Sequence, residues 1–223
     1  MRRWAWVVLV VAVLLCVNGS SLSGAKSSSP SVVLVTGFAP FGNYTVNPSG
    51  ELAEALDGTT IDGCLVVGLV LPVNFTAAVD EVTAAIQFYA PVLVISTGLN
   101  ARLVGHVAVE HMAVNLRQQP RLNGRWVPPV ALVSGGPLVR RASIPVERCV
   151  WSLHVHQVPV RGSWWAGTYV CNAVFYGELL QGSGVPVGFV HVPLLDFQSA
   201  KGLPLSSLTA AVSCVIETAL SSS

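Results

Sequence analysis

Apolar residues fall into short blocks along this chain, and the spacing inside each block predicts its conformation. Val32 to Thr36 is apolar and β-branched, stops at Gly37, and reads as a buried strand. Asn47-Pro48 opens a helix, because Asn accepts hydrogen bonds from the first unpaired N–H groups and Pro in the first turn gives up no needed donor. Gly58 closes that helix after Leu56-Asp57. Cys64 to Leu71 is a second strand. From Thr76 to Tyr89 the apolar positions Val79, Val82, Ile86 and Tyr89 share one helical face, and Pro91 ends the segment. Val92 to Ser96 is a third strand. Further along, Val107 to Leu116 reads as extended, Gln118 to Gly136 as a loop, and Ile144 to Leu153 as a helix. His154 to Val160 and Trp165 to Val170 read as strands, Asn172 to Leu180 as a helix, Val187 to Val192 as a strand, and Ser206 to Leu220 as a closing helix. Strands alternating with helices predict an α/β fold: a single-domain three-layer sandwich, with a mostly parallel sheet between helices on both faces.

Composition agrees with buried strands. The chain has 223 residues, of which 52% are hydrophobic and only 10% charged; soluble domains usually carry about 25% charged residues. Twelve basic and eleven acidic residues leave a net charge of +1. With no Lys/Arg cluster beyond Arg2-Arg3 and Arg140-Arg141, nucleic-acid binding is excluded.

The apolar run Trp4 to Val17 is different in kind. It follows Arg2-Arg3 and ends at Asn18-Gly19-Ser20-Ser21, with small residues at Ser23-Gly24-Ala25, the layout of a secretory signal peptide. A spanning helix needs about 20 apolar residues, so cleavage is the first expectation, and a membrane tether through residues 4–17 is its competitor. Residues 1–30, including the Ser-rich linker Lys26 to Pro30, are set apart from a folded domain over 31–223. The expected location is secreted or membrane-anchored. Export permits disulfides, and Cys64, Cys149, Cys171 and Cys214 suffice for two, but they form no dense or regular framework and free thiols are expected at least as readily. Asn43-Tyr44-Thr45 and Asn74-Phe75-Thr76 match the glycosylation sequon, a pattern frequent by chance.

Candidate chemistry centres on Cys171. An extended segment is expected to run into a helix there, and a helix N-terminus offers free N–H groups and partial positive charge to a nucleophilic sulfur or a developing oxyanion. A buried inert cysteine is the alternative. His191, near the end of an apolar strand, would arrive at the same sheet edge as a base; alone, it reads as a structural histidine. Glu110 lies in an apolar strand, where a carboxylate needs a partner. His191 would serve, and so would Arg102. His154 and His156 would share a strand face, but no third ligand is evident and no metal is expected.

These residues lie in blocks that resemble the pyroglutamyl peptidase I family of cysteine peptidases. Thr36-Gly37-Phe38-Ala39-Pro40-Phe41-Gly42 with Val46-Asn47-Pro48-Ser49 resembles the family's opening signature. Val109-Glu110-His111-Met112-Ala113-Val114-Asn115 resembles its glutamate block, Ala166 to Asn172 its cysteine block, and Gly188-Phe189-Val190-His191-Val192-Pro193 its histidine block. The order is the family's order, and the blocks span almost the whole chain after the leader. The resemblance implies removal of N-terminal pyroglutamate from peptides through a thioacyl-enzyme, with Cys171 as nucleophile, His191 as base and Glu110 orienting it, and with no cofactor. It also implies a lactam pocket drawing on Phe38, Phe41, Asn47, Tyr169 and Arg102. Relatives usually lack a leader and are cytoplasmic. Two departures stand out. Gly98-Leu99-Asn100-Ala101-Arg102 replaces a glycine-rich turn ending in Gly-Arg, and Trp164-Trp165 replaces small polar residues. The first supports a rival reading, an exported relative without catalysis that binds blocked peptide N-termini. A third reading, a disulfide-stabilised surface protein, requires Cys171 to be oxidised. The bulk of the tryptophan pair could narrow the site or build a homo-oligomer interface, and such residues fill cores as readily.

Overall fold

In the computed structural model, which describes residues 30–181 and 184–222, the chain runs through nine strands and five helices. They are β1 (Val32–Phe38), α1 (Pro48–Leu56), β2 (Thr60–Ile61), β3 (Cys64–Leu71), α2 (Phe75–Tyr89), β4 (Leu93–Leu99), β5 (Val107–Glu110), β6 (Met112–Val114), β7 (Val139–Arg141), α3 (Val146–Val155), β8 (Val160–Ser163), α4 (Val170–Leu180), β9 (Val187–Val192) and α5 (Leu205–Leu220). Seven strands form one sheet in the order β2-β3-β1-β4-β9-β5-β8, and β6 pairs with β7 beside it. Neighbours from β3 through β9 are parallel, as are β5 and β8; the β2–β3 and β5–β9 pairs are antiparallel.

Alternation along the strands builds two cores. Val33, Val35, Leu93, Ile95, Val190 and Val192 face a layer of α1, α3 and α5. Leu34, Val94, Val187 and Phe189 face α2 and α4 on the other side. This is the three-layer α/β sandwich expected from the pattern. Helix α1 crosses β1 so closely that a Cβ at Gly37 would lie 1.9 Å from Ser49 O, and one at Gly50 would lie 2.6 Å from Phe38 O. These glycines allow backbone contact between strand and helix.

Three expectations need correction. Residues 154–160 are not a strand: α3 continues to Val155, the chain turns at Gln157 with φ +59°, and the strand begins at Val160. His154 and His156 therefore share no strand face, and His156 Nδ1 lies 2.8 Å from Ser152 O. Residues 165–170 are irregular, because Gly167 takes φ +85° and interrupts the extended run. The extended stretch 107–116 is two strands belonging to different sheets, split at His111, and its partner β7 was not foreseen. The four cysteines at 64, 149, 171 and 214 are all free. Burial, with Cys214 nearby, pushes the Cys149 thiol up to about 12. Of the segment 1–30 assigned as leader or tether plus linker, residues 1–29 lie outside the described residues. Among the described residues, no helix is long and apolar enough to cross a membrane.

Candidate active site

His191 lies on the α4 side of β9, the face opposite Val190 and Val192. Its register partners are Gly98 on β4 and Ala108 on β5. Small residues on both sides leave room for the imidazole within a continuous sheet. Because β5 runs antiparallel to β9, Glu110 is the diagonal neighbour of His191 on the same face, within reach of a long side chain. Glu110 Oε1 lies 2.7 Å from His191 Nδ1, and both residues are buried. No arginine pairs with Glu110 among the described residues.

Cys171 is the other group that interacts with the imidazole. Burial alone would depress the His191 pKa; the interactions with Cys171 and Glu110 outweigh it and leave it pushed up to about 9. The thiol has its own recess. A Cβ at Gly98 would lie 2.7 Å from Cys171 Sγ and 3.0 Å from Phe189 Cζ, so only glycine leaves that space clear. Tyr169 is the N-cap residue of α4, and Ala173 N–H makes an early helical bond to Tyr169 O. Cys171 stands at the second helical position, before the hydrogen-bond ladder begins, where backbone N–H groups lack intrahelical acceptors. The predicted helix start is met, although an irregular loop replaces the predicted strand before it.

Asn172, the next residue, was given no role from the sequence. Its Oδ1 accepts from Val114 N–H, and its Nδ2 donates to Val114 O and Leu116 O. The helix carrying Cys171 is thereby clamped to β6, just beyond Glu110. A buried Asn inside a cysteine block was the available signal.

A hollow of about 590 Å³ reaches His191. His191 forms part of its floor, with Phe41, Tyr44, Leu99 to Arg102 and Trp165 to Tyr169 around it. Of the expected pocket residues, Phe41, Tyr169 and Arg102 line it. Phe38 and Asn47 do not. Phe38 packs into the α2/α4 core. Asn47 is buried as the cap of α1, accepting from Ser49 N–H and donating from Nδ2 to Ala39 O, so it fixes the loop that carries Phe41. Trp165, whose bulk was expected either to narrow the site or to build an interface, is a wall of the hollow, and Tyr44 was missed as one. Tyr44 lay hidden in a sequon, and its ring packs against Phe41 at 5.6 Å. The other sequon residue, Asn74, caps α2 by accepting from Thr76 and Ala77 N–H. The turn after Gly98 is well closed, with Arg102 N–H donating to Asn100 Oδ1 and Leu103 N–H to Asn100 O. The altered turn leaves Cys171, His191 and Glu110 together. Among the described residues no cluster of side chains suits a metal ion.

The model of the pyroglutamyl peptidase family matches residues 31–222. This chain belongs to that family. A pyrrolidone-carboxylate peptidase of Coprothermobacter proteolyticus is 39% identical over 178 residues, 77% of this chain and 86% of the relative. One from Klebsiella pneumoniae is 39% identical over 195 residues, 84% and 90% of the two chains. Among solved structures, the pyrrolidone carboxyl peptidase of Thermococcus litoralis superposes with a TM-score of 0.79 at 28% identity, covering 86% of this chain and 94% of that one. The Thermus thermophilus enzyme gives 0.75 at 34% identity, covering 83% and 99%. Membership makes this family chain a hydrolase of the cysteine-peptidase type.

Proposed function

We propose that this enzyme removes N-terminal pyroglutamate from peptides through a Cys171–His191–Glu110 triad. The observation that carries the reading is His191, flanked by Glu110 at 2.7 Å and by Cys171 at a helix N-terminus, on the floor of the hollow. Glu110 holds the Nδ1 side of the ring, so Nε2 faces the thiol; the Cys171 proton passes to His191 before attack, and the resulting thiolate, paired with the imidazolium, attacks the carbonyl carbon that joins pyroglutamate to the next residue. The developing oxyanion meets N–H groups at the start of α4. Collapse breaks the C–N bond, His191 returns the proton to the departing amine, and a thioester to pyroglutamate remains. Water, deprotonated by His191, then attacks that thioester and frees the acid and the thiol. Phe41 and Tyr169 present aromatic faces to the flat lactam, and Arg102 stands at the rim. No step calls for a metal or an organic cofactor.

The leader belongs to the same proposal. Arg2-Arg3 followed by the apolar run to Val17 exports the domain or tethers it to a membrane, which leaves the domain of residues 31–223 acting outside the cytoplasm. Self-association through the exposed Trp164 and Trp165 completes it.

The test is hydrolysis of a fluorogenic pyroglutamyl amide by the full-length chain under reducing conditions, with a prolyl amide as control. Release from the pyroglutamyl substrate alone, lost by at least a thousandfold in Cys171→Ala, is the expected result. A folded, reduced sample with no release would leave a binder of blocked N-termini instead.

A further inference from the structure

Beyond the catalytic hollow lies a second one of about 390 Å³, and Tyr169 is a wall of both. Its other walls are Phe75 at the start of α2 and Gln119, Pro120, Arg121 and Trp126 from an arm between β6 and β7. The arm is built rather than loose. Residues Arg117 and Val130 exchange backbone hydrogen bonds, as do Leu122 and Arg125, and Gln119 Nε2 donates to Pro128 O. It is also fastened to the nucleophile's surroundings. Gln118 N–H donates to Thr168 O at 2.7 Å, one residue before Tyr169, and Asn172 holds Leu116 at its base.

The lining combines aromatic surface with cations. Trp126 is 62% exposed, a costly display for so large a ring unless something covers it. The Arg117 guanidinium lies 5.8 Å from the centre of the Phe75 ring, and Arg121 is itself a wall residue. No acidic residue lines the hollow.

We propose that this second hollow receives the leaving part of the substrate peptide, with a large apolar side chain against Trp126 and Phe75 and a carboxylate facing Arg121. The proposal rests on the peptidase reading above. Pyroglutamate is the first residue of its peptide and nothing precedes it. A subsite adjoining the lactam hollow therefore has only the downstream residues to hold. An extended peptide advances about 3.5 Å per residue, so one or two residues past the scissile bond carry it across the width of Tyr169. The preferred substrates are short pyroglutamyl peptides that are apolar after the cleaved bond and end in a free carboxylate.

The full-length enzyme is assayed on pyroglutamyl-phenylalanyl-phenylalanine, its C-terminal amide, and pyroglutamyl-alanyl-alanine. The aromatic acid is expected to show about a tenfold higher kcat/KM than the alanyl peptide, carried by KM. Trp126→Ala removes that preference by lowering the aromatic peptide's kcat/KM to about that of the alanyl peptide; Arg121→Gln removes the preference for acid over amide. Equal losses on both peptides in Trp126→Ala, or an unchanged preference, would overturn the subsite while leaving the peptidase standing. Failure of the unsubstituted enzyme to cleave either peptide would overturn the peptidase reading and the subsite with it.

Discussion

At the scale of single residues, His191 is held by what surrounds it. Against the opposing effect of burial, Cys171 and Glu110 together raise its pKa, and the folded imidazolium persists up to about pH 9, above the ordinary value of 6.5. A raised histidine pKa contributes stability that is fully present below about pH 6.5 and is lost as pH rises through about 9. In the proposed mechanism the imidazolium is also the acid that protonates the leaving amine. The alkaline limb of kcat/KM is therefore expected near pH 9, and Glu110→Gln, which removes one of the interactions raising the pKa, is expected to move it down by a unit or more. A pH–rate profile checks this; an unmoved limb would separate Glu110 from the imidazole's titration. Legibility at this scale was uneven. Cys171, His191 and Glu110 could be found because each is chemically out of place in an apolar block. Phe38 and Asn47 could not be assigned, since a phenylalanine in a core and one in a pocket have the same sequence signature, and an Asn before Pro already has a capping role.

At the scale of elements, α4 carries a second acid two turns after Cys171. Glu178 is 3% exposed, and Ser96 Oγ, itself accepting from Thr36 Oγ1, donates to its Oε1. Its Oε2 has no partner among the described residues. Burial pushes this carboxyl up from 4.5 to about 8, against the smaller opposing effect of Ser96. The folded state thus favours the neutral acid. Its contribution to stability is full below about pH 4.5 and is lost as pH rises to about 8, because the unfolded chain ionises first. Glu178→Gln removes that dependence. Its Tm is expected to exceed the parent's by a margin that grows from pH 5 and reaches roughly 3–8 °C at pH 8. A margin that stays flat across this range in thermal melts would overturn the assignment. Element existence was legible wherever burial on both faces wrote a continuous apolar run, as in β1, β4 and β9. The direction of β5 was not, because a strand's residues do not encode the orientation of its partner. Nor was the loop at 165–170, where apolar residues imitate a strand and Gly167 overrides them.

At the scale of the whole molecule, the family match begins at residue 31, directly after the segment set apart as a leader. Expression in a secreting host is expected to yield a mature N-terminus near Ala25 or Lys26, read by intact mass and N-terminal sequencing; full-length protein in the membrane fraction would select the tether, and full-length protein in the cytosol would overturn export. The layered architecture was legible because strand and helix alternate. The placement of the candidate site among the layers was not: Glu110, Cys171, His191 and Asn172 lie on the α2/α4 face or on α4 itself, while α1, α3 and α5 pack the opposite face.

The antiparallel seam between β5 and β9 bears on folding fidelity. Glu110 reaches His191 only because Ala108 stands opposite it. Slipping that pairing by one residue would turn every β5 side chain to the other face and bury the carboxylate beneath α3 and α5. Turnover therefore reports the register of this seam almost digitally: a mispaired but compact population would be silent, and specific activity per folded molecule would measure the fraction of chains whose strands have paired correctly.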